Sequence, residues 1–287
     1  LRLPPDHLQE LVRVARHAHA LVRRHLLRQE QLVQRVVQRL HPQTLAGLHE
    51  RYERGYAAGE HIAGLVRRGV NARGTQRILD AVQRVASDRL PGLAKVLGWL
   101  EGEAVQRALA RLLGNDAVRS QIVEALVRHG AGVVALLIEQ LRVEDLETRQ
   151  AAAVALGRIG DRRATPALID ALRDAELAVP AAGALARIGD RDAFEGLLAL
   201  LGEPDPATRQ SVIAALNSIG HPDMAARIAE RLDDADHLVR ESALRIAGYF
   251  GYPECFEPVL RCCHDRAETV RRVAIESLAF FDDPRVV

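Results

Sequence analysis

Apolar residues return along this chain at helical spacing, in pairs of short segments split by a polar break, and the pattern repeats. Gly74, Gly102, Gly130, Gly160, Gly189, Gly220 and Gly251 follow one another at spacings of 28, 28, 30, 29, 31 and 31, and Asp282 falls 31 further on. Counting back from these positions, apolar residues recur at minus 12, minus 8, minus 4 and minus 1 with few exceptions. Examples are Ala152, Leu156 and Ile159, then Val212, Leu216 and Ile219, then Ala243, Ala247 and Phe250. That spacing is one face of a helix. In the unit ending at Gly160 it predicts a first helix over 131–141 and a second over 147–159. The glycine supplies a left-handed C-terminal cap, and Asp161, Asp190, Pro222, Asp223 or Pro253 just beyond it opens the next helix.

A second ladder fixes the register. Asn115, Asp145, Asp174, Asp205 and Asp236 stand fifteen before the repeat position, and Arg119, Arg149, Arg209, Arg240 and Arg271 stand eleven before it. The first set suits an N-cap, whose side chain satisfies orphan amides of the second helix. The arginine, one turn later, is placed to pair with the acid of its own or the adjacent unit. Both ladders read as structural.

The stretch ETRQAAAVALGRIGDRRATPALIDAL, residues 147–172, resembles HEAT repeats and is similar to the short HEAT-like repeats of phycobilisome bilin lyases. The resemblance is strong from about residue 118 to 284 and weaker back to 75. It implies an all-α fold, a right-handed α-α superhelix, with about seven units over residues 75–287 at the observed period. One unit departs from the pattern: Ala178 replaces the ladder arginine, and Pro180 sits inside the second helix, where it removes a hydrogen bond and delays or kinks the helix.

Residues 1–74 have a different character. Leu8, Leu11, Val12, Ala15, Ala18, Val22, Leu26, Val33, Val36 and Leu40 form an apolar stripe behind Pro4 and Pro5, which predicts one long helix from about residue 6 to 40. It either caps the first repeat or forms a coiled-coil seam interrupted at His25 and Gln29. The glycine-rich residues 41–74 read as a connector of short helices and turns.

Composition bounds the class. With 287 residues, 48% hydrophobic, and no apolar run of membrane-spanning length, the expectation is a soluble, cytoplasmic, bacterial-type chain. The chain starts without Met and stops at DDPRVV, like the opening of another repeat, which suggests a piece of a larger protein. Cys255, Cys262 and Cys263 cannot build a disulfide framework and read as small buried hydrophobes in a reducing compartment. Charge is uneven: residues 1–140 hold 21 basic and 13 acidic side chains, and the rest hold 18 and 25. Such a gradient can steer an anionic partner to the first half or let copies meet head to tail, so self-association stays open.

Catalytic signatures are missing. The sequence has no HExxH, no GxSxG and no glycine loop for phosphate, and the histidine cluster His7, His17, His19, His25, His41 and His49 shows no metal-ligand spacing. Some HEAT-like hydroxylases hold iron through repeated His-Glu pairs, yet only His49 with Glu50 forms that dipeptide here. The expectation is no enzyme, no cofactor and no metal.

What remains is a surface. At minus 2 the series runs Arg128, Arg158, Arg187, Ser218, Tyr249, Phe280, with Arg245 at minus 6 and Arg272 at minus 10 near its aromatic end. Arginine and tyrosine are the residue types that most often anchor interfaces. Arg128, Arg158, Arg187, Arg245, Tyr249, Arg272 and Phe280 are therefore the expected partner-binding residues on a concave surface of second helices. The function read is a scaffold for protein-protein interaction. One alternative, implied only by the resemblance, is a bilin-lyase-like subunit that handles a chromophore and its phycobiliprotein. Another is nucleic-acid binding through the basic half, against which stand only 10 aromatics and a net charge of +1.

Overall fold

The computed structural model describes residues 72–84, 90–283 and 285. The long helix expected over 6–40, nearly all of the connector, and the histidines within them lie outside the described residues. Every regular element among the described residues is helical. First come α1 (Ala72–Val82), α2 (Leu90–Leu97), α3 (Glu103–Arg111) and α4 (Arg119–His129). Short and long helices then alternate: α5 (Val134–Gln140) with α6 (Leu146–Ile159), α7 (Thr165–Ala171) with α8 (Ala178–Ile188), and α9 (Phe194–Leu198) with α10 (Pro206–Ile219). The last pairs are α11 (Met224–Arg231) with α12 (His237–Phe250), and α13 (Phe256–Cys262) with α14 (Glu268–Leu278).

The described chain divides into two compact units. One takes in residues up to Leu109 together with Ser120–Ala125; the other holds Ala110–Arg119 and the residues from Leu126 on. In the first unit, Val96, Leu97, Leu109 and Ile122 are fully buried. The second contains the regular alternation, and there the minus 8 and minus 4 residues Ala152, Leu156, Val212, Leu216, Ala243 and Ala247 all have no exposed surface. Burying a leucine side chain of this kind stabilises the fold by about 2 kcal/mol.

Local chemistry starts and stops α6, α10 and α12 as the ladders require. Asp145 accepts from the Thr148 backbone N–H at 2.8 Å and from its hydroxyl at 2.6 Å; Asp205 does the same with Thr208 at 2.7 and 2.8 Å. These bonds explain the two polar exceptions at minus 12, since Thr148 and Thr208 are buried with their hydroxyls satisfied. They also hold both carboxyls below the ordinary aspartate range, the threonine hydroxyl contributing most. At the other end Gly160, Gly189, Gly220 and Gly251 adopt φ of 74, 66, 61 and 63°, the left-handed cap that a side chain would strain.

Three expectations change in detail. Asp161 and Asp190 do not open the next α-helix directly; each caps a single 3-10 turn, Arg162–Ala164 or Arg191–Ala193, that leads into it. The first helix expected over 131–141 likewise begins as a 3-10 turn over Gly130–Val133. In the unit with Pro180 the long helix starts late, at Ala178 rather than beside Asp174, and has 11 residues where α6, α10 and α12 have 14. Proline then falls in the first turn, where its missing N–H leaves no helical bond unmade.

One described stretch, Arg119–Gln140, has the length and apolar composition of a membrane span. It is broken at Gly130 into α4 and α5, and Ile122, Leu126, Val133 and Leu137 within it are fully buried.

Candidate partner-binding groove

In the second unit the long helices lie side by side, and how closely they meet depends on the residues at minus 3 and minus 7. In α6 these are Gly157 and Ala153, and a Cβ on Gly157 would stand 2.6 Å from the Ala184 Cα of α8. In α12 the minus 3 residue is Gly248, whose added Cβ would stand 2.9 Å from Ser277 of α14. Small residues let backbones approach. In α10 the same row carries Asn217 and Ile213, and α10 meets α12 along much less of its length than α6 meets α8 or α12 meets α14. The parted seam opens into a cleft of about 860 Å³ between α10, α12 and α14.

The cleft has a floor of small residues and walls of larger ones. Ser242 and Ser277 are buried at its base, their hydroxyls donating to the carbonyls of Leu201 at 2.8 Å and Leu244 at 3.1 Å. Pro206, Arg209, Gln210 and Ile213 line the α10 side, Glu241, Arg245 and Tyr249 the α12 side, and Glu276 and Phe280 the α14 side. Tyr249 and Phe280 are 69% and 70% exposed and bring aromatic surface to the same cleft. Arg245 reaches Glu241 at 2.9 Å along its own helix. Tyr249 meets Phe250 edge to face with centroids 4.9 Å apart.

All seven residues expected at a partner surface are exposed, but only some are brought together. Arg245, Tyr249 and Phe280 line the cleft. Arg272 is exposed on α14 outside the cleft wall, and Arg128, Arg158 and Arg187 stand exposed at the ends of α4, α6 and α8. The minus 2 serine, Ser218, donates to the Ala186 carbonyl at 3.1 Å and so ties α10 to α8. Sequence reasoning did not single out Glu276, Gln210 or Ile213 as site residues, and it placed Arg209 in the structural ladder. The visible signal was the loss of a small residue at minus 3, Asn217 where Gly157 and Gly248 stand elsewhere.

The ladder itself does connect repeats. Arg149 of α6 pairs with Asp174 and lies 3.6 Å from Glu176; Arg119 reaches Glu147 at 2.8 Å as well as Asp116. Arg240 binds both oxygens of Asp265, at 2.7 and 2.8 Å, while its Nη1 donates to the Asp234 and Ala235 carbonyls. Each of these arginines therefore reaches an acid of the following unit, and of Glu147, Asp174 and Asp265 only Asp174 belongs to the fifteen-before ladder. This fork holds the Asp265 carboxyl below its usual range. Asp236 caps α12 through the Leu238 N–H at 2.9 Å. On the short helices a second, exposed set spans successive units: Arg227 to Glu195 at 2.9 Å, Arg261 to Asp233 at 2.8 Å and Arg285 to Glu257 at 2.7 Å.

Among the described residues no group of three or more His, Cys, Asp or Glu comes together in a way that would hold a metal ion. Cys255 and Cys262 are buried and their thiols are pushed up to about 11, chiefly by desolvation. Both donate weakly to carbonyls of the preceding unit at 3.6 Å, so they act as small core residues.

An array of helix pairs in which each long helix packs on its neighbours and a cap-and-fork ladder ties unit to unit defines an α-solenoid repeat protein. The chain belongs to the HEAT repeats family: its profile matches residues 105–180, 174–245 and 225–287. HEAT repeats are in general protein-interaction modules. Among solved structures, the complex of CpcE and CpcF of phycocyanin lyase from Nostoc sp. PCC7120 is 22% identical, covers 71% of this chain and 86% of its own, and superposes with a TM-score of 0.41. An engineered protein is 20% identical over 71% of this chain and 95% of its own, with a TM-score of 0.36. Human deoxyhypusine hydroxylase in complex with glycerol is 17% identical over 89% of this chain and 96% of its own, with a TM-score of 0.35. No curated protein sequence matches the chain.

Proposed function

We propose that the chain is a non-catalytic scaffold that binds a protein partner along the face of its long helices, with the cleft between α10, α12 and α14 as the centre of that surface. One observation carries this reading. The exposed large hydrophobic residues among those described are Val154, Val179, Tyr249, Ile275 and Phe280, and all belong to the second-helix segments, none to a short helix. Val154, Val179, Tyr249 and Phe280 stand at the outward positions minus 6, minus 10 and minus 2. Interface cores are enriched in aromatic residues and arginine, the types that Tyr249, Phe280 and Arg245 bring to the cleft. Three free thiols suit work in a reducing compartment.

The test is affinity capture with the chain as bait beside a variant carrying Arg158→Glu, Arg187→Glu and Tyr249→Ala. The proposal expects the main captured protein to be lost or reduced at least tenfold in the variant, since hot-spot truncations cost about 2 kcal/mol or more each. Equal capture by both contradicts it.

A further inference from the structure

We infer that the cleft receives an extended peptide segment whose carboxylate docks on the Nε and Nη2 edge of Arg209, with an apolar side chain of the same segment set against Tyr249 and Phe280. This rests on the partner-surface reading above and names the chemistry of the occupant. The molecule contains its own filled example of the proposed contact. In Arg240, Nη1 donates to the carbonyls of Asp234 and Ala235 at 2.8 and 3.0 Å, and Nε with Nη2 grips the Asp265 carboxylate. Arg209 has the first half of this arrangement: its Nη1 donates to the carbonyls of Glu203 at 2.5 Å and Pro204 at 2.9 Å. Its other edge meets no carboxylate among the described residues.

The reason is local. Arg149 and Arg240 each find an aspartate 25 residues on. For Arg209 that residue is Asp234, which instead accepts from the Asp236 N–H at 3.0 Å and lies 3.4 Å from Arg231. With the seam parted, Arg209 becomes part of the cleft wall. Arg271 also makes only carbonyl bonds, to Asp265 and Arg266, but it stands in the last described pair. Arg209 is the instance inside the array.

The other charges set the direction of the occupant. Arg245 is engaged by Glu241, and Glu276 lies exposed on the α14 wall beside Phe280. An acid is attracted at α10 and repelled at α14. Adjacent helices lie roughly 10 Å apart, Arg209 near the start of its helix stands about 13 Å along the axis from the level of Tyr249 and Phe280, and an extended chain advances about 3.3 Å per residue, so acid and apolar side chain fall about five to seven residues apart.

Selection of a random dodecapeptide display library on the full chain tests this, followed by synthesis of the enriched peptides with their acid intact or replaced by the amide. The inference expects enrichment of an aspartate or glutamate with an aromatic or aliphatic residue about five to seven positions away. Removing the peptide's charge should weaken binding about tenfold or more on the wild-type chain and hardly at all on Arg209→Gln. An acid-to-amide effect that persists undiminished on Arg209→Gln overturns the inference even if that variant is less stable. Peptides that need Tyr249 and Phe280 but are indifferent to their own acid overturn it and leave the partner-surface reading standing. No enrichment, or peptides indifferent to Arg209 and to Tyr249→Ala with Phe280→Ala, overturns both.

Discussion

At the scale of single residues, the most buried of the described ion pairs between repeats is the fork of Arg240 on Asp265. Both side chains are nearly buried, 7% and 10% exposed, so removing one charge leaves the other without an adequate partner. Asp265→Asn is expected to lower stability by about 2 to 3 kcal/mol at pH 7, read as a fall in Tm of roughly 4 to 12 °C. The folded carboxyl titrates below its ordinary range because Arg240 binds it, so its contribution is fully present above the unfolded aspartate pKa and is lost as pH falls through the folded value. The gap between wild type and Asp265→Asn should therefore shrink between pH 7 and pH 3, as thermal melts at both pH values would register. A constant gap means the pair adds no pH-dependent stability. Much of this was legible in the sequence: the thirty-residue ladder named Arg240 and its role. The acid was not, because Asp265 breaks the ladder's own register, and only folding shows which carboxylate lies within reach.

At the scale of helices, packing distance is set by what stands at minus 3. Gly157 and Gly183 are both helical glycines in neighbouring long helices, but they meet different surroundings. A Cβ on Gly157 would press to 2.6 Å from the Ala184 Cα, while at Gly183 nothing lies within 4 Å. Gly157→Ala should therefore destabilise by about 1 to 2 kcal/mol, the crowding outweighing the better helix propensity of alanine. Gly183→Ala should stabilise by about 0.5 to 1 kcal/mol. Denaturant melts of the two variants check the opposite signs; equal signs mean that α6 and α8 are not packed as closely as described. Pattern alone located both glycines within their helices and the delayed start of the Pro180 helix. It could not tell which neighbour each glycine faces, since helical periodicity fixes a face and leaves the distance across it to the partner's side chains.

At the scale of the whole molecule, the property that matters is that residues about thirty apart become neighbours on one helix face. The recurring glycines and the minus 2 series announced that neighbourhood, and Tyr249 and Phe280 do line one cleft. The cleft between α10 and α12 was not announced. It arises where Asn217 and Ile213 replace a small-residue row and Asp234 turns to Arg231 rather than Arg209, a coincidence of side-chain volume and rotamer that no periodicity records. The central claim is that partners are held on the long-helix face and in this cleft. Its most direct test places a photo-crosslinking benzoylphenylalanine at Phe280 in one chain and at Arg173, an exposed position following α7, in another, and irradiates each in the presence of the captured partner. A covalent adduct from Phe280 and none from Arg173 is the predicted result; an adduct from Arg173 with none from Phe280 contradicts the account.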